Sequence, residues 1–374
     1  MSLRRSARLG AIPTIKAPAQ SSPPKMTRVH NNAVNKPRKA STTKKAASKA
    51  TVAAPTKSGS SYWSPEPPSI NDSTQNPAHN PATNPPANSR LHTPPPLDRP
   101  VDPHRTNATL LTPHGSSVSA YPSHAEDASP SKTGLPRPAA TTGTLLEQAV
   151  AHLIAADPRL STVIEKNPCP LFSPEGLAEK IDPFNSLTSS IIGQQVSGAA
   201  AKSIRNKFLA LFQIDHADGK RSSFPLPEDV AKCDIATLRT AGLSQRKAEY
   251  IQGLAEKFAN GELSATMLAR ASDEELVEKL IAVRGLGKWS VEMFAVFALK
   301  RTDVFSTGDL GVQRGCAAFV GRDVSKLKGK GGGKFKYMAE KDMIELAAKF
   351  APYRSLFMWY MWRIEDVDVA VLTG

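Results

Sequence analysis

The sequence predicts an all-α fold for its C-terminal two thirds, and three observations carry that reading. Apolar residues recur at three-to-four spacing from Thr144 onward, as in Leu145, Leu146, Ala149, Val150, Leu153 and Ile154. The breaks between such runs are short, and none alternates polar and apolar residues long enough to suggest a sheet. Ser272-Asp273-Glu274-Glu275 reads as a capping box, in which the Ser272 and Glu275 side chains satisfy each other's free amides at a helix start.

The first 140 residues differ in kind. They hold 23 of the 31 prolines, 18 of the 48 Lys+Arg and 6 of the 34 Asp+Glu, so they carry +12 of the formal net charge of +14. Runs such as Ser64-Pro65-Glu66-Pro67-Pro68 and Thr93-Pro94-Pro95-Pro96 cannot continue a helix or donate amides to a sheet. Large apolar residues are sparse there, so no core offsets the ordering entropy. The expectation is a disordered, basic, Pro-rich extension over 1–140 and one globular unit over 141–374. The basic balance calls for a polyanionic partner. Lys36-Pro37-Arg38-Lys39 and Lys44-Lys45 resemble a nuclear import signal, and the Arg-rich, acid-free start Met1–Leu9 resembles a mitochondrial presequence. The nucleus is the favoured address, with a mitochondrial pool as the alternative.

Cys169, Cys233 and Cys316 are too far apart for a four-cysteine cluster, and six of the eight histidines precede residue 140. Neither zinc nor an iron–sulfur cluster is expected. No run approaches the roughly eighteen apolar residues of a membrane span, so no membrane partner is expected.

In order along the globular part, a helix spans Leu145–Ile154. Pro183-Phe184 opens a long helix from Ser186 to Phe212, whose small residues Gly193, Ser197, Gly198, Ala199 and Ala200 suit close packing. Further helices cover Lys247–Phe258 and Asp273–Val283. The segment 280–295 then reads as helix, Gly285-Leu286-Gly287 turn, helix: a helix-hairpin-helix. The glycines permit positive φ and close backbone approach, Leu286 tucks inward, and the amides opening the second helix offer a seat for one phosphate.

Seventeen residues beyond Lys288 comes Phe305-Ser306-Thr307-Gly308-Asp309-Leu310-Gly311-Val312-Gln313-Arg314. With this segment the chain resembles the helix-hairpin-helix (HhH-GPD) DNA glycosylases, and within them the DNA-3-methyladenine glycosylase II family of alkylation repair. Ile192-Gly193-Gln194-Gln195-Val196-Ser197, Gly242-Leu243-Ser244 with Lys247, and Pro352-Tyr353-Arg354-Ser355 before Trp359 and Trp362 agree with it. The resemblance covers about 145–370 and implies a two-lobed helical core that flips and excises alkylated purines, initiating base excision repair.

Carried over by position, Asp309 is the catalytic carboxylate. An anion preorganised beside an oxocarbenium-like sugar stabilises its developing charge, and it can orient the attacking water. A cationic base such as 3-methyladenine leaves without strong acid help, so one carboxylate suffices. Asp309 also reads as a plain helix N-cap. Trp289 and Trp362 match pocket aromatics; as core residues of apolar helices they have an alternative reading, which is the one accepted for Trp359 and Tyr360. Trp289 stands where lyase-competent relatives carry a Schiff-base lysine, and Lys288 points about 100° away around the helix. A monofunctional enzyme without AP lyase activity is therefore expected. Gln195 occupies the position of the side chain that fills the gap left by the flipped nucleotide, where some relatives have leucine; its alternative is a polar helix face. Arg284, Gly285, Leu286, Gly287, Lys288, Ser244 and Lys247 are the remaining expected DNA contacts. The resemblance also implies a structural Na+ or K+ on the main-chain carbonyls of Ile281, Val283 and Leu286, with no other cofactor. Partners expected are double-stranded DNA with alkylated bases and downstream repair enzymes, the protein acting as a monomer. Lys326 to Lys336, with five lysines and no acid, reads as a solvated flexible loop. The rival function is a non-catalytic helix-hairpin-helix protein that binds damaged DNA and recruits repair partners.

Overall fold

The computed structural model describes residues 97–122, 127–135, 137–212, 224–329, 333 and 335–364. Among the described residues, five short strands, β1 (Pro100–Val101), β2 (Thr109–Leu111), β3 (Ser117–Val118), β4 (Ala140–Thr141) and β5 (Lys180–Ile181), accompany sixteen α-helices and a 3-10 turn at Pro170–Phe172. The helices of the first part are α1 (Pro130–Thr133), α2 (Leu145–Ala156), α3 (Leu160–Lys166), α4 (Pro174–Ala178), α5 (Pro183–Gly193), α6 (Gly198–Ala210), α7 (Pro227–Lys232) and α8 (Ile235–Thr240). There follow α9 (Gln245–Ala259), α10 (Ala265–Arg270), α11 (Asp273–Ile281), α12 (Lys288–Phe297), α13 (Leu310–Phe319), α14 (Val324–Gly329), α15 (Glu340–Ala348) and α16 (Arg354–Ile364).

Local chemistry starts these helices where the sequence says it should. The capping box of α11 is formed by Ser272 and Glu275. Asp182 caps α5 by accepting from the Phe184 and Asn185 amides, with Pro183 in the first turn, where its missing N–H has no helix partner to lose. Helix is thus the dominant structure. The strands are two or three residues long, too short for any alternation to reveal them. One sheet pairs β1 with β4 antiparallel; the other has the order β3-β2-β5, with β2 and β5 parallel.

Two apolar cores divide the helices. The first gathers Phe184, Leu187 and Ile191 of α5 with Ile251, Leu254 and Phe258 of α9, Leu276 and Leu280 of α11, and Leu286. The second packs Leu145, Ala149 and Leu153 of α2 with Val312, Cys316 and Phe319 of α13 and Leu356, Phe357 and Tyr360 of α16. Helix α12 is the shared wall, giving Val291 and Phe294 to the first core and Met293 and Val296 to the second.

The boundary at residue 140 is corrected by the segment 97–140. Val101 is buried in the second core and Ala108 and Leu110 in the first, so this stretch straps both. Its most buried polar side chains are paired: Arg99 donates to the carbonyls of Asn107 and Leu177, and Asn107 bonds Asp102 and Lys300. Proline richness did not prevent folding here, because the strap uses side chains as well as short ladders for its hydrogen bonds. The rest of the expected extension, residues 1–96 with both targeting signals, lies outside the described residues.

Candidate active site

The hairpin runs from the end of α11 through Val283–Gly287 into α12. The Leu286 amide donates to the Val283 carbonyl at 3.1 Å, and both side chains are buried. Gly285 sits at φ +93°, and a Cβ there would lie 2.3 Å from Cδ2 of Tyr250. Both the left-handed conformation and the close approach therefore require glycine. Around Gly287, the N-cap of α12, the space is open, which leaves the first amides of the helix uncovered for an anion. Lys288 is exposed and lies 3.8 Å from Glu292, while the Arg284 guanidinium sits over the Tyr250 ring.

The long helix expected over 186–212 is two helices. It breaks after Gly193 and restarts at Gly198, with Ser197 capping α6 by accepting from the Ala200 amide. Gln195 occupies the break at φ +55° and is exposed, so it is not part of a helix face. Lys247, expected as a DNA contact, turns its side chain inward: its Nζ donates to the carbonyls of Ile192 and Gln194, each at 2.8 Å. Burial lowers the pKa of this ammonium group from its ordinary value. Gln194 donates from Nε2 to the Gly285 carbonyl at 2.8 Å, and Ser244 caps α9 by accepting from the Lys247 amide. These bonds tie the turn at Gln195, which leads into α6, to the first turn of α9 and to the hairpin that leads into α12.

Asp309 forms the helix cap its sequence context suggested, and its carboxylate makes further contacts that a cap does not need. As N-cap of α13 it accepts from the Val312 amide at Oδ1, 2.9 Å away. Its oxygens also receive two indole N–H groups, Trp289 Nε1 to Oδ2 at 2.8 Å and Trp362 Nε1 to Oδ1 at 2.9 Å. Trp289 is 42 % exposed, and Leu310, the residue after Asp309, is exposed as well. Trp362 stacks on Phe297, ring centroids 5.6 Å apart. Trp359 and Tyr360 are buried core residues, as expected. A cap fixes the carboxylate's orientation, and two indoles make its surroundings aromatic and weakly donating. This suits stabilisation of a passing cation.

Several supporting residues escaped the sequence reading. Ser306, in the loop that leads to Asp309, donates to Glu292 of α12. Glu292 was findable, since it lies three residues after Trp289 and so on the same helix face. A Cβ on Gly311 would sit 2.7 Å from Trp362 Cδ1, so this glycine lets the indole reach Asp309. Gly315 lets α13 approach the α16 backbone, since a Cβ there would meet the Met361 carbonyl oxygen at 2.0 Å. The Lys/Gly-rich segment is helical over α14, correcting the loop expectation there; residues 330–332 and 334 lie outside the described residues.

The sequence pattern of the HhH-GPD superfamily base excision DNA repair proteins matches residues 188–330. The DNA-3-methyladenine glycosylase of Saccharomyces cerevisiae is 34 % identical over 242 residues, covering 59 % of this chain and 80 % of that protein. This chain belongs to that family. DNA-3-methyladenine glycosylase 1 of Schizosaccharomyces pombe is 28 % identical over 221 residues, covering 59 % of this chain and 88 % of that protein. Among solved structures, a DNA-3-methyladenine glycosidase from Bacillus halodurans is 34 % identical, covering 57 % of this chain and 87 % of that one with a TM-score of 0.44.

Proposed function

We propose that this family member is a monofunctional DNA glycosylase that flips alkylated purines of the 3-methyladenine type out of duplex DNA and hydrolyses their N-glycosidic bonds. The observation that carries this reading is the Asp309 carboxylate, held by two indole N–H groups and a helix-start amide and placed after the hairpin. A bound cationic base would meet an aromatic face at Trp289, worth about 0.5–2 kcal/mol as a cation–π contact. As the bond to the base breaks, charge develops on the sugar, and the fixed Asp309 anion stabilises it without reorganising. A water near the same carboxylate would lose its proton toward it. Trp289 rather than Lys288 turns to Asp309, which supports hydrolysis over Schiff-base chemistry.

DNA would be gripped by the hairpin residues Arg284 to Lys288 and the start of α9 at Ser244, with Gln195 entering the gap left by the flipped nucleotide. The carbonyls of Ile281, Val283 and Leu286 are neutral oxygen donors of the kind Na+ or K+ prefers. The Val283 oxygen, although it accepts from Leu286, retains a second lone pair. Held there, such an ion would add positive charge for binding phosphate. Nuclear targeting, action as a monomer and hand-over of the abasic site to downstream repair enzymes complete the proposal.

The test is incubation of the protein with methylated duplex DNA, following free base and strand scission separately. Release of 3-methyladenine without scission is the expected result. Binding without release would favour the recruiter; scission with borohydride trapping would reveal a lyase.

A further inference from the structure

We infer that Lys247 and Gln194 are positioning residues: they brace the turn that carries Gln195, so that recognition of distorted DNA depends on them while general DNA affinity does not. This rests on the base-flipping reading above.

The last carbonyls of a helix lack partners inside it. At the end of α5 two such oxygens, those of Ile192 and Gln194, are taken by one ammonium reaching across from the first turn of α9. A lysine that serves phosphate keeps its head in water. This one is half-buried, and among the described residues its partners are these two carbonyls.

On the opposite side the turn is tied to the hairpin, through the Gln194 side chain and the Gly285 carbonyl. Between the two ties stands Gln195 at φ +55°, a conformation that disfavours residues with a Cβ. An exposed side chain on a strained turn held by part-buried hydrogen bonds, two of them charge-assisted, is preorganised: the backbone that carries it is set before any partner arrives. Entry of that side chain into a duplex would otherwise cost the ordering of the turn. The same two ties fix the distance between Gln195 and the phosphate seat at α12, so a phosphate bound at the hairpin registers Gln195 against the helix.

The experiment measures binding of the full chain to two duplexes identical except for one tetrahydrofuran abasic-site analogue, across a salt series. Variants are Lys247→Met and, from the other side of the brace, Gln194→Ala, each checked by thermal melting. Lys247→Met is expected to weaken binding to the abasic duplex about tenfold, the scale of a lost charge-assisted hydrogen bond. Its affinity for the undamaged duplex stays within about twofold, with the salt slope of the unmodified protein. Gln194→Ala should show the same selective loss, smaller in size. Equal loss on both duplexes with a slope shallower by about one would make Lys247 a phosphate contact and overturn the inference. Unchanged binding to both by either folded variant would overturn it as well. If the unmodified protein does not prefer the abasic duplex, the base-flipping reading itself falls and the brace falls with it.

Discussion

Replacing Trp362 with phenylalanine separates what its ring does from what its N–H does. The ring stacks on Phe297 with planes 17° apart, and the N–H donates to Asp309 Oδ1 at 2.9 Å. Phenylalanine keeps an aromatic ring against Phe297 and deletes the donor. A hydrogen bond to a charged group contributes about 1.5–3 kcal/mol. Oδ1 retains the Val312 amide, so the lower end applies, about 1.5–2 kcal/mol. If that bond holds the carboxylate in its working orientation, the loss falls on the chemical step, a rate decrease of roughly ten- to thirtyfold. The assay is single-turnover release of 7-methylguanine from a duplex carrying one such base, beside the affinity for an abasic duplex and the melting temperature. We expect the rate to fall while affinity and melting temperature change little. Release at the unmodified rate would refute the reasoning and reduce Trp362 to packing.

Two further outcomes concern the framework. Asn107 is fully buried and bonds Asp102 and Lys300 through both ends of its amide, so Asn107→Ala leaves backbone groups unpaired in the strap. A loss of about 2–4 kcal/mol is expected, read as a lower melting temperature; an unchanged one would show that the strap does not hold the two cores. The hydrogen bond from Arg159, with help from Lys349 and against the opposing effect of burial, keeps the Asp157 carboxyl well below its ordinary value of 3.8. A carboxyl lowered in the folded state adds stability that is complete above its unfolded value and is lost as pH falls toward the folded one. The stability gap between the unmodified protein and Asp157→Asn should therefore be full at neutral pH and shrink below about pH 4. A gap independent of pH would contradict this.

Periodicity and caps made the helices of the globular part legible, and the Ser272–Glu275 box formed as read. The hairpin was legible because glycine chemistry is local: Gly285 needs its positive φ whatever surrounds it. What the residues did not reveal depends on distant partners. Small residues over 193–200 fit a continuous helix as well as a break, and the break is held by Lys247, more than fifty residues away. Charged side chains read from sequence default to solvent, so the inward turn of Lys247 carried no signal. The strap was hidden by its prolines, because its order comes from buried Arg99 and Asn107 finding carbonyls in other elements. For Asp309, cap and catalytic carboxylate looked like rivals in sequence; in three dimensions the cap fixes the carboxylate's orientation, so the two readings are compatible.

The measurement that bears most directly on the account is single-turnover release of 3-methyladenine by the protein and by Asp309→Asn. Asparagine can still cap α13 through its side-chain oxygen, so the fold and the abasic-duplex affinity should persist. Removing the charge should abolish detectable release, since an amide cannot stabilise the developing cation. Release by Asp309→Asn at a rate near that of the unmodified protein would contradict the central claim and leave Asp309 a helix cap alone.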